Sequence, residues 1–175
     1  MPVLFLLRHA KSSWDDPALD DFDRPLAPRG LKAAPTMGRE MASRGWVPDL
    51  ALVSPAARAA QSWALVSAAF ADVPPTQFEE NLYMATPQTM LGFVTGLDEA
   101  AEGIVLVGHN PGMEELALLL AGPGSDETAE ARMAAKFPTA ALARLAFDGP
   151  WVSLAPQAAQ LTHFIRPRDL PTGRA

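Results

Sequence analysis

Two apolar runs end abruptly on groups that resist burial. Val3 to Leu7 is followed at once by Arg8-His9, and Ile104 to Val107 by Gly108-His109-Asn110-Pro111. A third run, Leu50 to Val53, leads into Ser54-Pro55-Ala56-Ala57-Arg58. The chain has three histidines, and two of them occupy such positions. Arginine presents a planar fork that donates parallel hydrogen bonds to a phosphate, and a neutral imidazole can attack phosphorus. Two arginines and two histidines gathered at one rim would bind a phosphoryl group and supply a nucleophile for it. Taken singly each signal is weak. A histidine after a strand is more often a hydrogen-bonded structural residue, and an arginine early in a helix is more often a solvated surface group. His163, inside a late strand, reads as structural or surface.

The set works only if the strands end on the same side. Continuous apolar runs are expected of strands covered on both faces. The pattern predicts strands at Val3–Leu7, Leu50–Val53, a short one at Thr76–Glu79, then Ile104–Val107, Leu142–Phe147 and Leu161–Ile165. Helices are predicted from Gly30 to Arg44 with Gly45 as the stop, from Pro55 to about Phe70, from about Pro87 to Leu97, and from Met113 to Ala121. Ser54 is placed as N-cap and Pro55 as first helical residue. Asp15 to Arg29, with Pro17, Pro25 and Pro28, reads as a loop too long for mere connection. Gly122 to Asp126 is a second loop.

Strands alternating with helices predict an α/β domain, with helices on both faces of a largely parallel sheet. In such sheets ligands bind beyond the carboxyl ends of the strands. Arg58, about one turn into its helix, can lean back over that edge. Pro111 at a helix start leaves neighbouring amides free to face an anion.

Composition narrows the chemistry. The 175 residues are expected to form one domain, 1–175. A chain of this size buries roughly 70% of its unfolded surface and needs no covalent staples. There is no cysteine, which excludes disulfides, thiolate zinc sites, iron–sulfur clusters and a cysteine nucleophile. That absence fits a reducing cytoplasm, the expected location. The formal charge of −6 argues against a nucleic-acid or anionic-membrane partner. Eleven of the fourteen cations are arginine, a bias that genomic base composition, with abundant Ala and Pro, mostly explains, although arginine is also the better phosphate clamp. The N-terminus lacks a basic lead-in and is not expected to be a signal peptide, and no stretch reaches the ~18 apolar residues of a membrane span. No Walker spacing is present, and no clustered Asp/His pattern suggests a two-metal site. No metal or cofactor is expected, and the chain is expected to be a monomer.

A mechanism follows from what remains. Neutral His9 attacks phosphorus, Arg8 and Arg58 hold the equatorial oxygens, and His109 donates a further hydrogen bond. Water then hydrolyses phospho-His9. The arginines and the second histidine carry the compensating charge, so no metal is needed.

The segments LLRHAKSSW, DDFDRPLAPRG, LVSPAARAAQS and LVGHNPGMEELA, in that order from residue 4 to about 118, resemble the histidine phosphatase superfamily. They are most similar to its small SixA-type phosphohistidine phosphatases. The resemblance implies a three-layer α/β/α sandwich of the phosphoglycerate mutase-like kind, with His9 as nucleophile, Arg8 and Arg58 as phosphate clamps and His109 as the second histidine. It implies a phosphorylated protein carrying phosphohistidine, or a small phosphorylated molecule, as partner. Arg24 is a candidate to flank the pocket; the alternative is that it orders its loop beside Asp21 or Asp23.

The sequence departs from the family at two places. The family's glycine after the nucleophile is Ala10, and Asp15 stands by counting where larger relatives have asparagine. An anion there would repel phosphate, so Asp15 is expected to turn away or pair with a cation. Glu79 and Glu80 are candidates for the proton donor, solvated loop charges being the alternative. Glu114 and Glu115 are read as a solvated helix face. An imidazole is a good leaving group, so a weak acid suits phosphohistidine better than an alkyl ester. Two other readings stand beside a phosphohistidine phosphatase: a small-molecule phosphomonoesterase, for which Glu79 and Glu80 discriminate, and a non-catalytic phospho-ligand binding module, which Ala10 and Asp15 would favour.

Overall fold

The structure, a computed structural model, describes residues 1–98 and 100–171. Six strands form one sheet: β1 (Val3–Arg8), β2 (Leu50–Val53), β3 (Thr76–Phe78), β4 (Gly103–Gly108), β5 (Leu142–Ala146) and β6 (Gln160–Ile165). Their spatial order is β3-β2-β4-β1-β5-β6. The first four positions are parallel, and β5 and β6 are antiparallel additions at one edge. The reason lies in the connections. The return from β5 to β6 carries only a short 3₁₀ turn at Trp151–Ser153, whereas a parallel return needs a crossover of a dozen or more residues, usually a helix.

Five helices cover the sheet: α1 (Pro28–Ser43), α2 (Ala57–Ser67), α3 (Pro87–Thr95), α4 (Gly112–Leu120) and α5 (Glu127–Ala135). Two apolar layers result. Ala34, Met37 and Met41 of α1 and Ala59, Trp63 and Val66 of α2 pack on Phe5, Leu7, Val53 and Val107. Met90 and Val94 of α3, Leu116 and Leu120 of α4 and Met133 of α5 pack on Leu4, Leu6, Ile104 and Leu106. Alternate residues of β1 and β4 thus feed opposite layers, as a pleated strand buried on both faces requires. The three-layer α/β/α sandwich expected from the sequence is the observed fold. Helix α5 lies in a stretch for which the sequence pattern predicted no element.

Two predicted starts shift. Helix α1 begins at Pro28 rather than Gly30, with proline at the first helical position. Helix α2 begins at Ala57, not Pro55; its N-cap is Ala56 and no side chain caps it. Gly45 ends α1 at φ +69, the left-handed conformation that favours glycine. Gly30 is needed for another reason. A Cβ there would lie 2.2 Å from the Lys11 carbonyl oxygen, so glycine lets α1 press against the segment that follows His9.

The strand order decides what meets. β4 lies between β1 and β2, and all three run the same way. Arg8 pairs with Gly108, and Val53 with Val107. The residues one step beyond, His9, His109 and Ser54, therefore stand side by side at the carboxyl rim. Among the described residues no helix is long and apolar enough to cross a membrane.

Candidate active site

The His9 and His109 rings lie with centroids 5.2 Å apart. Both are buried, as is Arg58, at 7%, 3% and 3% exposure. Placing such groups out of water is costly unless each is held by a partner.

His9 is held through Nδ1, which lies 2.7 Å from the Ala10 carbonyl oxygen. A carbonyl only accepts, so Nδ1 carries the proton and Nε2 keeps its lone pair. The Ala10 amide in turn donates to Ser62 Oγ at 2.8 Å, and the Ser62 hydroxyl donates to the Arg58 carbonyl at 2.6 Å. The backbone behind the nucleophile candidate is thus tied to the helix carrying the arginine. Ala10 itself is fully buried in the α1/α2 layer and is not among the residues at positive φ. Nothing in its backbone demands glycine.

His109 is held through Nε2, 2.7 Å from Ser54 Oγ. The Ala56 amide donates to the same oxygen at 3.4 Å. When the hydroxyl donates to Nε2, the ring proton sits on Nδ1. This corrects the N-cap assignment of Ser54: its oxygen is spent on the histidine of the next strand. Ser54 and Ser62 are site residues that sequence reasoning missed. The Ser-Pro step reads locally as a helix start, and only strand order brings Ser54 to His109.

Arg8 Nη1 donates to the Phe137 carbonyl at 2.9 Å, and Asn110 Nδ2 donates to the same oxygen at 3.1 Å. Arg58 lies in the first turn of α2, with Nη1 donating to the Asp21 carbonyl at 2.6 Å and Nη2 to Asp21 Oδ2 at 2.9 Å. Among the described residues, three buried nitrogens of this cluster have no partner: Arg8 Nε, Arg58 Nε and His109 Nδ1.

The remaining candidates fall differently. Arg24 is buried, and its guanidinium is taken up by Asp21 Oδ1 (3.1 and 2.9 Å), Ser12 Oγ (2.8 Å) and the Ser13 carbonyl (3.2 Å). It orders the loop beside Asp21, the alternative stated from the sequence. Glu79 follows β3, its amide donating to the Val53 carbonyl at 3.0 Å, and is half-buried; Glu80 opens a 3₁₀ turn, Glu80–Leu82, and is exposed. Asp15 is exposed. Glu114 is half-buried with its carboxylate near Asn110, while Glu115 is exposed, so the solvated-face reading holds for the second only. At the start of α4 three amides are already taken up. Those of Met113, Glu114 and Glu115 donate to the His109 carbonyl, Asn110 Oδ1 and the Pro111 carbonyl. His163 packs edge-on to Trp46 in β6, as a structural residue does.

Electrostatics complete the site. Burial, then the positive neighbours, push His9 down to about 3 and His109 to about 4 from an ordinary 6.5. Both rings are neutral at pH 7 beside two permanent cations. The arrangement offers a neutral nucleophile with a fixed tautomer in a field that attracts an anion.

Two consequences can be measured. Between pH 6.5 and about 4 the unfolded chain takes up protons on both histidines that the folded chain refuses. Stability is therefore complete above pH 6.5 and is lost as pH falls, with a limiting slope of about 1.4 kcal/mol per pH unit for each histidine. Urea midpoints are expected to drop from pH 7 to 5, and the drop to flatten in a His9→Gln/His109→Gln double variant; a flat wild-type profile contradicts the assignment. Ser54→Ala removes the Nε2 partner and frees the His109 tautomer. It is expected to cost about 1–3 kcal/mol of stability and roughly tenfold in turnover, equivalent to about 1.4 kcal/mol. Unchanged turnover in a folded Ser54→Ala protein argues against that positioning.

Comparison with known proteins places this geometry. A six-stranded α/β/α sheet with paired histidines and arginines at its carboxyl rim is a phosphoglycerate mutase-like fold. Residues 4–83 match the family described as histidine phosphatase superfamily (branch 1). An uncharacterized protein of Mycobacterium tuberculosis is 36% identical over 163 residues, 93% of this chain and 100% of its own. The structure designated phosphohistidine phosphatase SixA from Agrobacterium tumefaciens is 31% identical, with TM-score 0.79 over 95% of this chain and 99% of that one. The one of the same designation from Nakamurella multipartitia is 27% identical, with TM-score 0.82 over 95% and 96%. The chain belongs to the histidine phosphatase superfamily, in its SixA-type branch.

Proposed function

We propose that the chain is a metal-independent phosphatase that works through a covalent phosphohistidine on His9 and removes phosphate from phosphohistidine on a protein. One observation carries this reading. His9 is fixed with Nε2 unprotonated beside three buried, partnerless nitrogens on Arg8, Arg58 and His109. Buried donors left without acceptors are costly, and a phosphoryl group supplies acceptors for them together with the electrophile.

Nε2 of His9 attacks phosphorus as the bond to the leaving imidazole nitrogen breaks. The leaving ring departs neutral when its other nitrogen carries a proton. Arg8 and Arg58 hold the equatorial oxygens and His109 Nδ1 donates to one of them. Water then attacks the phosphorus of phospho-His9, the P–N bond breaks, and inorganic phosphate leaves. Glu79 or Glu80 at the rim is positioned in sequence to donate a proton where a poorer leaving group requires one.

The rim supports a protein as substrate. Trp14 and Phe22 are 69% and 38% exposed. Trp14 lies under Arg24, which shares Asp21 with Arg58, and Phe22 packs edge-on against Tyr83, itself beside His109. Apolar groups left in water beside a charged cleft suit a protein surface better than a small phosphate ester.

The test is a turnover panel of phosphohistidine peptide, phosphoramidate and common phosphate esters, with and without chelator. P–N substrates are expected to be preferred and chelator to have no effect. A preference for esters that is abolished by Glu79→Gln or Glu80→Gln gives the phosphomonoesterase reading, and phosphate binding without hydrolysis of any compound gives the binding module.

A further inference from the structure

Asp21 was not among the residues expected to serve the site, yet the clamp is built around it. It opens a short 3₁₀ turn, Asp21–Asp23, in the loop between β1 and α1. Its Oδ1 accepts from Arg24 Nε and Nη2 at 3.1 and 2.9 Å. Its Oδ2 accepts from Arg58 Nη2 at 2.9 Å and from the Tyr83 hydroxyl, and its main-chain oxygen accepts from Arg58 Nη1 at 2.6 Å. A carboxylate offers about four lone-pair directions, and here all are filled.

The hub is itself anchored. Arg24 is fixed by Ser12 Oγ and the Ser13 carbonyl, and its guanidinium stacks on Trp14. Held from so many sides, Asp21 is a rigid fixture rather than a swinging gate. The Tyr83 hydroxyl first, then the two arginines, hold its carboxyl well below the usual carboxylate range. It stays ionised and is no proton donor at neutral pH.

What the hub accomplishes is visible at Arg58. Two of the guanidinium's N–H donors are spent on Asp21, and Nε, buried, is left over. A long side chain with many rotamers is thereby confined to one. Tyr83 is held by the same carboxylate, with its ring edge-on to His109 at 5.4 Å.

We propose that Asp21 is the positioning residue of the phosphate clamp: it locks the Arg58 guanidinium so that Nε and its remaining N–H groups meet the phosphoryl oxygens, and it sets Tyr83 against His109. This rests on the phosphatase reading given above, in which Arg58 holds the transferring group. Removing the charge leaves two buried guanidiniums, Arg24 and Arg58, without the anion they share, and Arg58 turns away.

A double-mutant cycle on the intact protein tests this, with phosphoramidate as the substrate. Rates are normalised to active sites by the burst of phosphoenzyme, and folding is checked by urea midpoint. Asp21→Asn keeps the size and removes the charge. It is expected to lower kcat/KM by roughly 10–100-fold, the cost of a misplaced group. In an Arg58→Ala background the same change is expected to lower it by less than about twofold, because the phosphate-holding guanidinium that Asp21 positions is gone. The Arg58 Nε–H resonance is expected to be sharp in the native protein and to broaden in Asp21→Asn. Full additivity of the two losses, an Asp21→Asn rate within twofold of native, or an unchanged resonance overturns the proposal. Native turnover in Arg58→Ala alone overturns the reading of the whole site, and is thereby distinguished from failure of the Asp21 role.

Discussion

Alanine at position 9 is expected to reduce turnover of phosphohistidine and phosphoramidate by roughly 10⁴–10⁶-fold, the scale on which removal of a covalent nucleophile acts. The site offers no substitute. His109 is the nearest second imidazole, but its Nε2 is engaged with Ser54. A water molecule would have to attack the substrate directly. The clamp survives the change, because Arg8 is held by the Phe137 carbonyl and Arg58 by Asp21, neither through His9. Vanadate is therefore expected to bind the His9→Ala protein while no covalent label forms. In the native protein, label trapped by rapid quench is expected to be lost in acid and kept in base, as a P–N bond requires. Acid-stable label, or label on the alanine variant, removes His9 from the mechanism.

Arg58→Ala is the second large effect, expected at about 10³-fold in kcat/KM. Arg58 is buried and presents Nε without a partner, so the charge it brings to the transferring group is poorly screened by water. Arg58→Lys is expected to recover little of the loss. A lysine ammonium cannot keep the paired bonds to the Asp21 carbonyl and carboxylate while also reaching the substrate. The measurement is kcat/KM for phosphoramidate across native, Arg58→Lys and Arg58→Ala proteins of equal urea midpoint. A lysine variant near the native rate shows that charge alone suffices and that the planar fork is unimportant.

How much of this was legible in the sequence differs by residue. Arg8, His9 and His109 were named because they stand where an apolar run ends, and Arg58 because it opens the helix after such a run; both are local properties. The α/β class was legible for the same reason: strand and helix periodicities are written within short windows. Arg24 was left between two roles, and its hydrogen bonds to Asp21, Ser12 and Ser13 decide for the loop. Ser54 was misread because Ser-Pro is a good local signal for a helix start, and His109 outcompetes that use of its oxygen. Asp21 was legible only as a loop partner for Arg24, and Ser62 carried no signal in sequence at all.

The sequence by itself determined which groups reach the carboxyl ends of the strands, and so that a rim of arginines and histidines was available. Tertiary structure alone decided how those groups are held. The supporting partners lie far along the chain: 37 residues from Arg58 to Asp21, 52 from Ala10 to Ser62, 55 from Ser54 to His109 and 129 from Arg8 to Phe137. Such pairs are fixed by the insertion of β4 between β1 and β2 and by the addition of β5 beside β1. Strand order is set by the burial of two apolar faces at once, a property of the whole chain that no short stretch of it encodes.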